Sequence, residues 1–410
     1  MARSDARLSV PGVVRPRAPL RVLGTSVTQF PEIADAAAKD LGLKIEFMTL
    51  DGAEAQRRAA LEPDSFDVYD QWFHDIDLIW PTGSLQPIDV TRLPRWDEIG
   101  PVAKTGRLSP GHPAAPGGDP SQRLFVQFDG TLGAAASDRI SMLPTVHNAD
   151  TLAVVGAPVA EVTSWGAMLD PAWAGRVMLQ SDPAIGCLEL ILAMRARGEL
   201  ALADMGNASL EEIDTLVQRL HGLVASGHLA ATWSDETAAI DAFASAHARG
   251  EAMIGSLWWS GFTALRARGV PVEMATPREG YRAWFGGLSL SSRLTGATAE
   301  AAYAYLNWWL GEHAATLMTR RGAYMANPVA LKAALSAEDF AFWYDGAPAH
   351  QPIRDPSGAL VFRPGARREG GGYAARMSRI AVWDAVMAEH NYLVRRWERA
   401  LAAAPVRRTA

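Results

Sequence analysis

Rings and carboxylates, more than nucleophiles, are the side chains with chemical potential in this sequence. Asp70 and Gln71 precede Trp72, Phe73 and His74; Trp233 and Asp235 flank a serine; Trp258 and Trp259 are adjacent; Trp284 and Asp182 stand in polar surroundings. Aromatic faces attract organic cations and carboxylates neutralise them, so this mixture suits a cleft that holds a small organic molecule. Thr25 and Ser26 would add hydroxyls. His147, with Asp150 three residues on, is the combination that could move a proton, although a hydrogen-bonded structural histidine is the plainer reading. Asp150, Asp182, Asp235 and Glu279 could meet as paired carboxylates, but nothing in their spacing requires it. The motifs of nucleophilic and phosphate chemistry are missing: no G-x-S-x-G elbow, no G-x-x-x-x-G-K-[ST] loop, no G-x-G-x-x-G after a strand. The nine histidines show no helical metal-ligand spacing, and no cofactor or metal is expected.

The elements that must position these residues alternate. Leu20–Gly24 reads as a strand, Pro31 opens a helix that Gly42 closes, residues 44–49 alternate as a strand, a helix runs from Ala53 to Leu61, and Phe66–Tyr69 is the next strand. Such alternation predicts an α/β fold with mainly parallel sheets flanked by helices, and in these sheets ligands lie beyond the carboxyl ends of the strands. Thr25, Ser26 and the segment 70–73 fall there, with Asp70 as a possible helix cap. Pro101–Gln122 reads as an exposed, mobile loop. Residues 141–155 hold polar residues between apolar runs, as a strand crossing between domains would. A second alternating set follows: a strand at 176–179 delivering Asp182, a capping box Ser209–Glu212, and Ser234 as a helix cap with Trp233 and Asp235 beside it. Met253–Phe262 reads as a strand entering a Gly/Ser turn. Side chains alternate along a strand, so only one of Trp258 and Trp259 can face a given side; the choice stays open, with Trp258 favoured. Two long helices are expected near 298–318 and 376–400, with Gly370–Gly372 a flexible turn between them.

Length and charge narrow the class. A chain of 410 residues exceeds one simple core, and a formal charge of −6 without a basic stripe argues against nucleic acid as a partner. Cys187 is the single cysteine, so no intrachain disulfide can form. No run approaches the roughly 18 apolar residues of a membrane helix, and residues 1–17 lack the apolar centre of a signal peptide.

The order of segments resembles the bacterial extracellular solute-binding proteins of the spermidine/putrescine type. The likeness rests on Phe66–Val68 through Gly83–Asp89, Leu143–Asp150, Ser164–Trp165 through Pro171–Gly175, Trp233–Asp235, Gly255–Trp258 and Pro277–Gly280. It implies a two-lobe type II periplasmic-binding fold that closes on a small-molecule ligand and hands it to an ABC permease, a periplasmic location, a monomer and no catalytic step. On that template residues 1–19 are a disordered leader, lobe 1 is 20–143 plus 260–318, lobe 2 is 148–255 plus 320–400, and crossovers lie near 144–147 and 255–259. Contact positions fall near Thr25, Trp72–His74, Asp182, Trp233, Trp258 and Trp284. Where polyamine binders carry acidic residues in the first βα loop and after the strand at 176–179, this chain has Val27 and Ile185 and keeps only Asp182. The expected ligand is therefore an amine, polyamine-like or amino-acid-derived molecule smaller or less charged than a polyamine. An enzyme using His147 and a nearby carboxylate, and a receptor presenting ligand to a membrane sensor, are the alternatives.

Overall fold

The computed structural model describes residues 18–113, 115 and 120–403, so the leader expected over residues 1–19 lies, up to residue 17, outside the described residues. In chain order the elements used below are β1 (Leu20–Gly24), α1 (Pro31–Leu41), β2 (Ile45–Thr49), α2 (Gly52–Leu61), β3 (Val68–Trp72), α3 (Pro101–Thr105) and β4 (Leu143–Val155). They continue as β5 (Val177–Gln180), α4 (Pro183–Ala196), α5 (Leu210–Ala225), β6 (Leu229–Trp233), α6 (Glu236–Ala248), β7 (Met253–Leu257), α7 (Trp259–Ala267) and β8 (Tyr281–Ser291). The chain finishes with α8 (Gly296–Trp309), α9 (Glu312–Arg320), β9 (Tyr324–Met325), α10 (Tyr373–Met377), β10 (Ile380–Trp383) and α11 (His390–Ala402).

Local chemistry sets many of these boundaries. Pro31 occupies the first turn of α1, where its missing N–H costs nothing, and Gly42 ends the helix in the left-handed region at φ 64°. Ser209 and Glu212 form the reciprocal capping box of α5. Helix α4 is apolar on every side from Ile185 to Met194 apart from Glu189, and it is buried on every side, with Cys187 inside. Together with α5, α11 and β5 it encloses a second hydrophobic core that includes Leu152, Trp165, Leu220, Ile254 and Trp397.

Two parallel groups of strands, β2-β1-β3 and β6-β5-β7, are joined in one sheet by the antiparallel strands β4 and β8, in the order β6-β5-β7-β4-β8-β3-β1-β2. The end of β4 pairs with β7 through residues 151–155, and the end of β8 pairs with β3 through residues 286–290. Between those ends the two strands pair with each other, Arg282 opposite Asp150, Trp284 opposite Asn148 and Phe285 opposite His147. This is the expected α/β architecture of two lobes linked by shared strands. Because side chains alternate, the β4–β8 ribbon has an even-numbered face (Asn148, Asp150, Arg282, Trp284) and an odd-numbered face (His147, Ala149, Phe285).

Several expectations are corrected here. Met253–Leu257 is an interior strand of the second group rather than a return crossover, and the strand lying beside β4 is Tyr281–Ser291. The glycines of that stretch serve packing: a Cβ on Gly255 would come 2.6 Å from the Met178 carbonyl oxygen, and one on Gly261 would press on Leu257. Trp259 starts α7 directly, without an intervening turn. The strand placed at 66–69 runs from Val68 to Trp72, so Asp70 and Gln71 are strand residues and Asp70 caps nothing. The helix expected over 298–318 breaks at Gly311, and the region 376–400 holds the end of α10, strand β10 and α11. Within Pro101–Gln122, residues 101–105 are helical with Val102 and Ala103 buried. Among the described residues no helix is long and apolar enough to cross a membrane.

Candidate functional site

The carboxyl ends of β3, β6 and β7 bring three indoles together. Trp258, the residue after β7, lies with its ring centroid 5.3 Å from Trp72 on one side and 5.2 Å from Trp233 on the other. Trp72 sits flat over Gly52, where a Cβ would collide with it, and stacks on His74 at 6.0 Å. The three rings thus bridge the two strand groups, and the Trp233 indole N–H, buried, has no partner within the described protein.

Beneath the rings, on the even face of the ribbon, lies a buried charge cluster. Arg282 Nη1 donates to Asp384 Oδ2 at 2.6 Å, its Nε is 3.3 Å from Glu189 Oε1, and its Nη2 is 3.5 Å from Asp150 Oδ2. All four side chains are inaccessible or nearly so. Trp284 donates its indole N–H to Asp150 Oδ2 at 2.7 Å. Asp182 caps α4 by accepting from the Ala184 N–H at 2.8 Å, and its charge is felt by both His74 and Asp75. His74 Nε2 is 3.4 Å from Asp75 Oδ1. Asp150, Glu189 and Asp384 therefore share one guanidinium, with Asp75 and the partly buried Asp182 beside them.

The protonation equilibria record that imbalance. Burial pushes Asp150 up to about 7 and raises Asp182, Glu189 and Asp384, while Asp75, buried and beside Asp182, rises well above the usual carboxylate range. Burial works against the Arg282 cation, but Asp384, Glu189 and Asp150 outweigh it and hold its pKa above the ordinary guanidinium value. Burial takes His74 down to about 4, so its ring is neutral near pH 7. Asp150 Oδ1 and Asp384 Oδ1 accept no hydrogen bond within the described protein. A buried carboxylate without donors is costly, and a cation placed among several of them relieves that cost.

The structure gathers some of the sequence-derived candidates and disperses others. Trp72, His74, Asp182, Trp233 and Trp258 share the aromatic layer and its floor, and Asp150 and Trp284 join them through Arg282. Thr25 and Ser26 lie at the β1–α1 loop, where the Ser26 carbonyl accepts from Arg321 at 3.2 Å. Phe73 packs into the core on Phe285, and the Gln71 side chain is turned to Gly52, whose carbonyl it reaches at 3.2 Å. Asp235 is exposed and, in place of Ser234, caps α6; its neighbour Glu236 is the buried one, accepting from Ser260 Oγ at 2.5 Å. Trp259 turns away from Trp258 and packs beneath Arg368, whose guanidinium is 3.9 Å from its ring centroid. His147 is on the odd face, bonded to the Tyr373 hydroxyl at 3.0 Å, whereas Asp150 is on the even face of the same strand. The proposed His147–carboxylate pair does not form through these two residues.

Asp75, Glu189, Arg282 and Asp384 were not singled out by the sequence, although signals existed. Arg282 is two residues from Trp284 on a strand and must share its face. Glu189 is the one charge in the apolar stretch Ala184–Met194. Among the described residues no group of three or more His, Cys, Asp or Glu is placed to hold a metal ion.

Comparison with known proteins accords with this architecture. The sequence profile described as bacterial extracellular solute-binding protein matches residues 32–347. A putative spermidine/putrescine ABC transporter protein from Listeria monocytogenes superposes with a TM-score of 0.63 at 13% identity, covering 93% of this chain and 98% of its own. The spermidine/putrescine substrate-binding protein PotD of Streptococcus pneumoniae gives 0.58 at 14%, covering 93% and 99%. The periplasmic binding protein MotA of A. tumefaciens B6, solved with glucopine, gives 0.57 at 13%, covering 94% and 98%. Comparison of the sequence with curated proteins gives no match.

Proposed function

The chain belongs to the bacterial extracellular solute-binding proteins, and from that premise we propose that it captures a small organic cation between its two strand groups for delivery to an ABC permease, in the periplasm. One observation carries the ligand class: the buried carboxylates Asp150, Glu189 and Asp384 face a single guanidinium, with Asp75 and the partly buried Asp182 beside them, beneath the ring layer of Trp72, Trp233 and Trp258. Indole faces and buried carboxylates are complementary to ammonium or amidinium groups and repel anions.

The floor changes the expectation drawn from Val27 and Ile185. In place of the acidic residues missing from those places, Asp75 and Asp384, contributed by other segments, bring carboxyl groups near Asp182, so a ligand with more than one positive centre fits this reading. Opening and closing would pivot on β4 and β8, with Trp72 carried by one lobe and Trp233 and Trp258 by the other. On this reading the second lobe extends through α7 to the start of β8.

Isothermal titration of the purified chain with diamines, polyamines, quaternary amines, basic amino acids and opines tests the proposal, with sugar phosphates and dicarboxylates as controls. Saturable binding confined to cationic compounds is the expected result. Binding of anions alone would overturn it.

A further inference from the structure

We propose a second small-molecule site, on the odd face of the ribbon and separate from the tryptophan layer, that takes an uncharged, ring-sized molecule with one hydrogen-bonding group. The space is a cavity of about 110 Å³ between α3, β9 and the tyrosines of the C-terminal segment, with Val102, Leu108, Met325, Tyr344, Tyr373 and His147 in its wall. None of the wall residues carries a formal charge at neutral pH, because burial pushes the His147 ring down to about 3 and keeps it neutral. A charged guest would find no counter-ion there.

What marks the cavity as a site is the state of His147. The side chain is 1% exposed; Nε2 is paired with the Tyr373 hydroxyl at 3.0 Å, and Nδ1 has no partner within the described protein. A neutral imidazole has one N–H and one lone pair, so engaging Nε2 leaves the other group of the ring wanting a partner. Leaving it unpaired in an apolar wall is unfavourable, because the group loses water and gains no partner. A guest that fills the space and supplies that bond recovers this cost. The volume matches the guest: a dry cavity of about 150 Å³ accepts benzene, so one near this size accommodates a five- or six-membered ring. Azoles and phenols combine that size with one donor or acceptor. The same volume would hold about three or four waters at roughly 30 Å³ each, which is the competing occupant.

The probe is 4-bromopyrazole, used with the full chain. A crystal grown with it should show the anomalous signal of bromine inside the cavity. In solution, pyrazole should bind saturably and raise the melting temperature. Ala103→Leu, which fills the wall from α3, should weaken that binding by about tenfold or more while leaving cation binding at the tryptophan layer intact. Bromine absent from the cavity, ordered water alone in its place, or pyrazole binding unchanged in a folded Ala103→Leu chain would each overturn the proposal; should that variant fail to fold, the bromine position decides alone.

Discussion

On the even face of the β4–β8 ribbon, Arg282 is the one cation in ion-pair contact with the buried Asp150, Glu189 and Asp384 among the described residues. On the odd face the imbalance is reversed: Arg368 and Arg376 are buried and neither makes a side-chain ion pair among the described residues. Arg368 donates to the Gly322 carbonyl at 2.6 Å and lies 3.9 Å from the Trp259 ring centroid and 4.2 Å from that of Tyr324. Arg376 donates to the carbonyls of Ala149 and Glu369 and faces the Tyr281 ring at 4.5 Å. Carbonyl oxygens and π faces serve the terminal nitrogens of these arginines from within the fold, while the Nε of each has no partner within the described protein and burial lowers Arg368 to about 10. Opposite, Asp150 Oδ1, Asp384 Oδ1 and both Glu189 oxygens accept no hydrogen bond within the described protein. Two buried charges of opposite sign can thus mean different things: one is served mainly by carbonyls and rings of the chain, the other fits completion by a cationic ligand.

The sharpest way to separate the faces is the tryptophan pair. Trp259→Ala, on the arginine face, should destabilise the fold by about 3–5 kcal/mol with affinity per folded molecule unchanged, whereas Trp258→Ala should weaken cation binding as well. Urea melts paired with titration calorimetry read both quantities, and equal loss of affinity in the two variants would erase the distinction. Arg376→Met comes next: it keeps the volume but strips donors from two buried carbonyls, for an expected loss of about 2–4 kcal/mol in stability and none in affinity.

On the carboxylate face, Asp182→Asn should do the opposite. Asparagine caps a helix about as well as aspartate, so α4 keeps its N-terminus while the charge is lost. Cation affinity should fall about tenfold or more, near 1.4 kcal/mol per decade, with the melting temperature little changed. The smallest effect is a pH dependence. Asp150 stands at about 7 against an ordinary 3.8, so its contribution to ligand-free stability is full below the unfolded value and is lost as pH rises through about 7. A cation requires the ionised form, so affinity should rise several-fold over the same window, and Asp150→Asn should flatten that rise. His74, already neutral there, contributes nothing to it.

Much of the local structure could be read directly. Pro31 and Gly42 bracket their helix, the Ser209–Glu212 box starts another, and the long strand over 143–155 follows from polar residues enclosed by apolar runs. The placing of aromatic residues at strand ends anticipated Trp72, Trp233 and Trp258. The carboxylate floor was only partly legible, because Asp150, Glu189 and Asp384 are brought to Arg282 by strand register and helix packing that act across long stretches of chain. The return strand was misplaced for a related reason. Gly255 and Gly261 suggested conformational freedom, but their missing side chains make room for Met178 and Leu257, while the actual partner of β4 lies in a stretch buried along its whole length.

Cys187 gives this protein an internal stopwatch. The sole thiol lies at zero exposure within α4, and burial raises its pKa well above the usual value. A thiol-reactive dye can reach it only when the packing around α4 opens, so labelling follows the opening of the second core one molecule at a time. Because Asp182 caps the same helix, a ligand that engages Asp182 should slow that labelling, reporting occupancy without any engineered probe.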